Sequence, residues 1–578
     1  MKISRLKIIH FRGISKAKLF FHGHSVLVGD NNVGKSTILE AIDLVLGPER
    51  LSKIPVIDEH DFYAGDYISD EEPIKIEIEA TIIDLNENQL RHFRNNIEWW
   101  DDERKSLIEG PPASQTDKEN IFPALRICFN GYYDKDEDDF FGKTYYCSPI
   151  NDEGDLSSFT TKDKRLCGFI YLRMLRTGSR ALSLERGSLL DIILKLKDIR
   201  PQMWEDILDK LRSVTVADQP ELGISDILED IQNAVNKIVP TEWVKNPKLQ
   251  VSDMTREHLR RILTVFIETG AISRNGNSYS APFNHQGSGT INALVLVLLS
   301  MIAELKQNVI FAMEEPEIGI PPCTQKRIIN SIIEKSSQAI FTSHSPYVLE
   351  EFDPSQILVI HRDKKGLLKG LSGSYPVRPK RYREEFRKKL CEGLLARRVL
   401  IVEGRTEYDS YYLCSKKLYA FNPHDFKSFD TLGLAIINAE TDSQIVELGD
   451  FFQSLGKEVF AIFDKQKKDN LEEIKKAVDY PFESPEDGFE DLLIKNVPVP
   501  VLRKYAHFIV RENTWPSHYK SNPIDIDDET EFKAILFKFL KDRKGSGEAA
   551  LLLSMCKKEE LPEFIISTIT EINRVIKN

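Results

Sequence analysis

The sequence predicts an α/β protein built from two successive strand–helix units, and three observations predict it. An apolar run, Ser25–Val28, passes through Gly29-Asp30-Asn31-Asn32-Val33-Gly34-Lys35-Ser36-Thr37 into an amphipathic helix. A second apolar run, Val309–Met313, ends in the paired acids Glu314 and Glu315. A third, Val399–Val402, ends in Glu403 and opens a fresh strand–helix series that reaches Asp464. Acids at the tips of buried strands are where open α/β sheets gather ligands.

The composition bounds the reading. The 578 residues, 41% hydrophobic and 29% charged, suit roughly three to five folded domains and exclude wholesale disorder. The longest apolar run, near Ala293–Ala303, is too short to span a bilayer, and the first residues carry no secretory pattern. Seven scattered cysteines without C-x-x-C spacing argue against a disulfide framework and against structural zinc, so a reducing cytoplasm is expected. A net charge of −12 is no signature of a dedicated nucleic-acid binder. The segment Arg378–Arg398 is locally basic, with nine Lys or Arg against three Glu. It reads equally as a solvated linker or as a contact to phosphate backbone.

In chain order, two short strands flank a turn at Arg12-Gly13, and Ser25–Val28 is a buried strand. Ile38, Ala41, Ile42 and Val45 then share one helix face, and Gly47-Pro48 stops that helix. Residues 66–160 read as β-rich with loops, and residues 183–240 as helical. After residue 288 strands and helices alternate: strand Val309–Met313, helix Thr324–Glu334, strands Ala339–Thr342 and Ile357–Ile360. The second unit has strand Val399–Val402, helix Glu407–Leu418, strand Leu434–Ile437, helix Asp442–Leu455 and strand Glu458–Phe463.

The first motif fits G-x-x-x-x-G-K-[ST]. Its glycines, with Asn31 and Asn32, let backbone N–H groups face phosphate oxygens. Lys35 supplies charge at the β/γ-phosphates, and Ser36, followed by Thr37, supplies a hydroxyl for Mg²⁺ at a helix N-terminus. Glu314 suits the magnesium hydration shell, and Glu315 suits the orientation of an attacking water. His344, just after the next strand, is placed to meet a terminal phosphate. Gln286-Gly287-Ser288-Gly289 precedes a long apolar helix.

This order of motifs resembles ATPases of the ABC, SMC and RecF type. The resemblance implies that Ser288 and Gly289 belong to a signature motif that contacts the nucleotide of a second subunit, hence at least a homodimer. Phe11-Arg12-Gly13 is typical of the RecF-like branch, and Pro316-Glu317 falls at the D-loop. Glu314 departs from the commoner Asp. Asp61 is the one candidate for the Q-loop residue.

In the second unit, Glu403 and Glu407 flank a tight turn, and Asp464 ends the strand expected beside it. Such oxygen-only ligands suit Mg²⁺ or Mn²⁺ rather than zinc. This unit resembles a Toprim domain, and the two units together resemble the OLD (overcoming lysogenization defect) family of endonucleases, which includes the nuclease subunit of the Gabija anti-phage system. That resemblance implies a further metal-binding acid at Glu490, with Asp487 competing, and a late catalytic lysine at Lys544. Gln466 stands where Toprim domains commonly carry a second Asp.

The expected organisation is residues 1–160 and 256–370 as the two parts of an ABC/RecF-like ATPase domain, 161–255 as a helical dimerisation insert, 371–396 as a basic linker and 397–578 as the Toprim domain. The expected activity is ATP hydrolysis with Mg²⁺- or Mn²⁺-dependent DNA cleavage, regulated by the ATP state. The resemblance implies phage defence, with DNA and a helicase-like or other defence-system protein as partners. The alternative is a RecF-like clamp or regulatory ATPase whose Toprim domain does not cut.

Overall fold

The computed structural model describes residues 1–48, 56–69, 72–111, 120–150, 156–172, 183–184, 188–197, 206–207, 210, 224–237, 255–305, 309–318, 320–373, 384–519 and 521–577. The chain forms two compact units. One comprises Met1–Ile3, Ile42–Ile57 and Glu79–Phe341, the other Ser4–Ala41, Asp58–Ile78 and Thr342–Asn578.

In the second of these, strands run in the order Lys2–Phe11, Ile14–Phe20, Leu367–Leu371, Ile357–Arg362, Ser25–Val28. The first two form the expected hairpin, with Arg12 at a φ of 50° in its turn. Ser25–Val28 is buried throughout and lies parallel to Ile357–Arg362, Val28 opposite Val359. A strand with no polar face can only sit inside a covered sheet. Helix Lys35–Leu46 follows, and it stops at Gly47-Pro48 as expected.

The same unit holds a four-stranded sheet ordered Leu434–Asn438, Arg398–Val402, Glu458–Phe463, Tyr480–Glu483. All its pairs are parallel. Helices Arg405–Phe421, Asp442–Ser454 and Lys468–Ala477 connect the strands in succession. Helices Phe489–Asn496, Val499–Arg511, Glu529–Asp542, Glu548–Met555 and Glu563–Lys577 complete the domain. Leu400, Ile462, Tyr411, Leu493 and Ile569 are among the residues of one continuous core. The parallel arrangement places the ends of Arg398–Val402 and Glu458–Phe463 at the same edge, with Val402 opposite Ile462.

In the other unit, Ile121–Asp134 and Asp139–Ile150 pair as a long antiparallel hairpin, with Ile97–Asp101 on the first strand. This matches the β-rich expectation for residues 66–160. Ile310–Glu314 is fully buried and parallel to Phe169–Leu172. The strand Phe169–Leu172 thus falls inside the stretch 161–255 expected as a helical insert. Helix Thr161–Cys167 starts on a Thr160 capping box and ends at Gly168 with a φ of 68°. The apolar, aromatic run Phe169–Leu172 then reads as a strand for the reason Ser25–Val28 does. Within the expected dimerisation stretch, helices Leu189–Leu196 and Ile224–Asn236 are described, and the former packs on helix Ser288–Leu305. Residues 198–205, 211–223 and 238–254 of that stretch, and 374–383 of the basic linker, lie outside the described residues.

Candidate nucleotide and metal sites

The phosphate loop is built from backbone. Gly29, Asn32 and Gly34 have φ of 148°, 62° and 114°, conformations that expose successive N–H groups and favour glycine or asparagine. Gly29 has a second constraint, since a Cβ there would lie 2.6 Å from Ile360 O. Lys35 is 8% exposed and its Nζ donates to Gly29 O at 2.8 Å and Asp30 O at 2.9 Å. The lysine is thus folded over its own loop. Asn31, Asn32 and Ser36 are exposed and Thr37 is half-buried.

His344, also in this unit, is exposed after the buried strand Gln338–Thr342. The preceding Ser343 N–H donates to Leu27 O at 3.4 Å and its Oγ accepts from Ser345 N–H at 3.0 Å. This turn ties the histidine loop to the strand that carries the phosphate loop. Asp61 has a clear local role: its carboxylate accepts from Arg12 Nε at 2.8 Å, and Arg12 also meets Glu40 at 2.7 Å.

Glu314, Glu315, Ser288 and Gly289 fall in the other unit. Glu314 ends a buried strand, is 7% exposed, and accepts a 2.5 Å hydrogen bond from Tyr171 OH. Tyr171 comes from the neighbouring Phe169–Leu172 strand, and sequence reasoning missed it because that stretch fell inside the expected helical insert. Glu315 has a φ of 43°, rare for a residue with a side chain. Such strain marks a turn held by its surroundings. Ser288 and Gly289 open helix Ser288–Leu305, and Thr290 N–H donates to Gly287 O at 3.0 Å.

The second site is built from side chains of five separated positions. Glu403 and Asp464 follow adjacent parallel strands, and Glu403 Oε2 accepts from Asp464 N–H at 2.9 Å. Glu407 lies in the first turn of helix Arg405–Phe421 and is 2% exposed. Gly404 makes its placement possible, because a Cβ there would lie 2.6 Å from Glu407 Oε2. Glu490, 4% exposed, lies in the first turn of helix Phe489–Asn496. Its Oε2 is 3.9 Å from Lys544 Nζ. Asp487, the competing choice, is exposed. Lys544 sits in a loop shaped by Gly545 and Gly547, with φ of 76° and 88°. Gly545 N–H donates to Thr406 Oγ1 at 3.0 Å, which pins this loop beside Glu407. Thr406 was not visible as a functional residue in the sequence.

The electrostatics agree with convergence. Burial pushes Glu407 up to about 7, with Glu490 and Glu403 adding to the rise and Lys544 opposing it. Burial likewise raises Asp464 to about 7, reinforced by Glu403 and Glu407. For Lys544 burial works downward, but Glu490, Glu407, Asp464 and Glu403 outweigh it and hold its pKa above the ordinary lysine value. Among the described residues no three His, Cys, Asp or Glu side chains already stand as a finished metal cage. The donor set nevertheless fits a divalent cation. It is all oxygen, its acids repel one another, and the buried Glu407 Oε2 and Glu490 Oε1 have no hydrogen-bond partner. Gln466 does not replace the missing acid. Its Oε1 accepts from Asn470 Nδ2 at 2.7 Å, while its N–H donates to Glu483 Oε1 at 2.9 Å.

The AAA ATPase domain model matches residues 1–123 and 113–349, more than half of the chain. The chain belongs to the AAA ATPase domain family. Residues 394–465 match the Overcoming lysogenization defect protein-like TOPRIM domain, so the second unit's parallel sheet is an OLD-like Toprim domain. The chain is 22% identical over 421 residues to Endonuclease GajA of Bacillus cereus (strain VD045), covering 70% of this chain and 66% of that protein. Among solved structures, the Smc head domain from Pyrococcus furiosus, bound to the C-terminal domain of ScpA, is 14% identical with a TM-score of 0.35. It covers 64% of this chain and 96% of its own. The C-terminal region of the Burkholderia pseudomallei OLD protein is also 14% identical, with a TM-score of 0.25, covering 31% of this chain and 98% of its own. No described helix is long and apolar enough to cross a membrane.

Proposed function

We propose that this protein is an ATP-hydrolysing, Mg²⁺- or Mn²⁺-dependent DNA endonuclease of the OLD type, acting in the cytoplasm in anti-phage defence, whose ATP state regulates cutting. The observation that carries the reading is the meeting of Glu403, Glu407, Asp464, Glu490 and Lys544 at one edge of a parallel sheet. Two divalent cations held by those four acids would supply an activated water and a clamp on the leaving oxygen. Lys544, 3.9 Å from Glu490, would offer a positive charge to the phosphate diester in transit. Glu403, bonded to the Asp464 backbone, keeps the two strand tips in one geometry.

At the nucleotide site, Gly29, Asn31, Asn32, Gly34, Lys35, Ser36 and Thr37 cradle the phosphates, Glu314 holds the magnesium shell, and Glu315 and His344 address the attacking water. Ser288 and Gly289 complete the site of a second subunit, so the protein works as a homodimer or larger assembly, with a helicase-like or other partner in the defence system. Light scattering at micromolar concentration is expected to give a dimer with and without ATP; a monomer in both conditions excludes this arrangement. The enzymatic reading is tested by nicking of supercoiled plasmid in Mg²⁺ or Mn²⁺. Purified full-length protein should convert it to open circles. No cutting under any divalent cation, with or without nucleotide, supports the second reading, an ATP-driven DNA clamp. The observation favouring that alternative is Gln466, whose amide oxygen is already held by Asn470.

A further inference from the structure

The phosphate loop and the metal crevice lie in the same compact unit, and a continuous set of contacts joins them. Gly29 rests against the strand Ile357–Arg362 at Ile360 O. The next residue of that strand, His361, donates from Nε2 to Leu455 O at 2.7 Å. Leu455 begins the turn into strand Glu458–Phe463, and Gly456 in that turn has a φ of 71°. A Cβ on Gly456 would lie 3.1 Å from the His361 ring, so backbone and ring are in close contact.

Lys457 completes the turn. It is 6% exposed, and its Nζ donates to Leu394 O at 2.9 Å and Ala396 O at 2.7 Å. Those carbonyls end helix Glu384–Leu395, where backbone acceptors lack helical partners. One residue beyond Lys457 and two beyond Ala396, Glu458 and Arg398 stand opposite in register and pair at 2.5 Å. The two strands they open end at Glu403 and Asp464. A single turn therefore fixes the origins of both strands that carry the metal-facing acids.

The loop also acts on this turn electrostatically. Asp30 and Asn31 line one cavity of about 930 Å³ together with Arg397, Arg398 and Leu432. Burial lowers Lys457 to about 8, and the Asp30 charge opposes that fall. Asp30 is likewise among the charges felt by His361.

We propose that the Leu455–Lys457 turn is the joint through which nucleotide occupancy at the phosphate loop sets the spacing of Glu403 and Asp464. Lys35 supplies the differential interaction that any such coupling requires. A bound triphosphate draws its ammonium from Gly29 O and Asp30 O to phosphate oxygens. That frees the Asp30 carbonyl and adds negative charge beside the Asp30 carboxylate. Both changes reach His361 and Lys457, and two stiff parallel strands carry any shift of their origins to their tips. The activity readout of this coupling rests on the nuclease reading; its structural readout does not.

The test compares full-length wild type with His361→Leu, Lys457→Met and Lys457→Arg. One measurement is plasmid nicking in Mn²⁺ with and without ATP. The other is hydrogen exchange in residues 398–403 and 458–464 with and without the slowly hydrolysed analogue ATPγS. In wild type, nucleotide should change nicking by about fivefold or more, the low end of site-to-site coupling, and alter exchange in both segments. His361→Leu and Lys457→Met should retain ATP hydrolysis and lose both responses, whereas Lys457→Arg should keep them. A full nucleotide response in His361→Leu, or in a folded Lys457→Met, overturns the proposal. So does wild-type exchange that ignores nucleotide, even if the protein nicks DNA. Exchange that responds in wild type and not in the variants supports the joint even if no nicking is seen, in which case the nuclease reading alone falls.

Discussion

The phosphate-loop segment and the acidic crevice are built by opposite means. The loop is nine consecutive residues, and its geometry lies in backbone torsions at Gly29, Asn32 and Gly34. The crevice draws Glu403, Glu407, Asp464, Glu490 and Lys544 from positions spread over more than a hundred residues, and its geometry lies in how helices and strands end. A backbone site tolerates little change at its glycines and depends on one side chain for charge. A side-chain site shares its charge among several groups and depends on the contacts that aim them. The two should therefore fail differently under mutation.

The largest effect is expected at the loop. Lys35→Ala removes its one buried cation and should abolish ATP binding or hydrolysis, measured by nucleotide binding and phosphate release. Glu315→Gln should still bind ATP and hydrolyse it at least about a hundredfold more slowly, the scale of a lost general base. Hydrolysis at the wild-type rate would remove Glu315 from that role.

At the crevice, Glu403→Gln or Asp464→Asn each removes a full charge from a divalent cation and should cost several kcal/mol of metal or transition-state stabilisation. Gln466→Ala should cost much less, because its amide is engaged with Asn470 rather than with the acids. A smaller, more discriminating effect is expected at Gly404. Gly404→Ala pushes on Glu407 Oε2 and should weaken Mn²⁺ binding by about tenfold, the scale of lost support to a metal ligand. Isothermal titration with Mn²⁺ measures it, and ATP hydrolysis serves as the control. Unchanged Mn²⁺ affinity would mean that Glu407 is not held by this turn.

The smallest effect concerns the far end of the loop's own helix. Lys164 is fully buried and its Nζ donates to Leu44 O at 2.7 Å. Burial lowers its pKa to about 7. Between pH 7 and the ordinary lysine range the unfolded chain holds one more proton than the folded one, so stability from this group rises with pH. Lys164→Met should therefore gain over wild type least at pH 9 and most near pH 7, in thermal melts at the two pH values. An identical difference at both would show that Lys164 does not titrate in this window.

The contrast also explains what the sequence made legible. The phosphate loop, the strands ending at Glu314, Glu403 and Asp464, and their helices could be read because each is local: an apolar run, a turn and a periodic face. Glu490 and Lys544 came only from family resemblance, since their place depends on helices packing far along the chain. Tyr171, Thr406 and Lys457 were missed. Each makes long-range hydrogen bonds, to Glu314, to the Gly545 backbone and to the end of helix Glu384–Leu395 respectively. Nothing in the spacing around such residues marks them. Phe169–Leu172 is not legible as a strand for a related reason: a four-residue apolar run shows too few periods to separate strand from helix.

The central claim, that DNA chemistry belongs to the crevice and not to the nucleotide site, is tested most directly by plasmid nicking in Mn²⁺ with wild type, Glu403→Gln, Asp464→Asn and Lys35→Ala side by side. The account predicts that wild type cuts and that Glu403→Gln and Asp464→Asn do not, while both still hydrolyse ATP. It is contradicted if those two variants cut at the wild-type rate and Lys35→Ala does not.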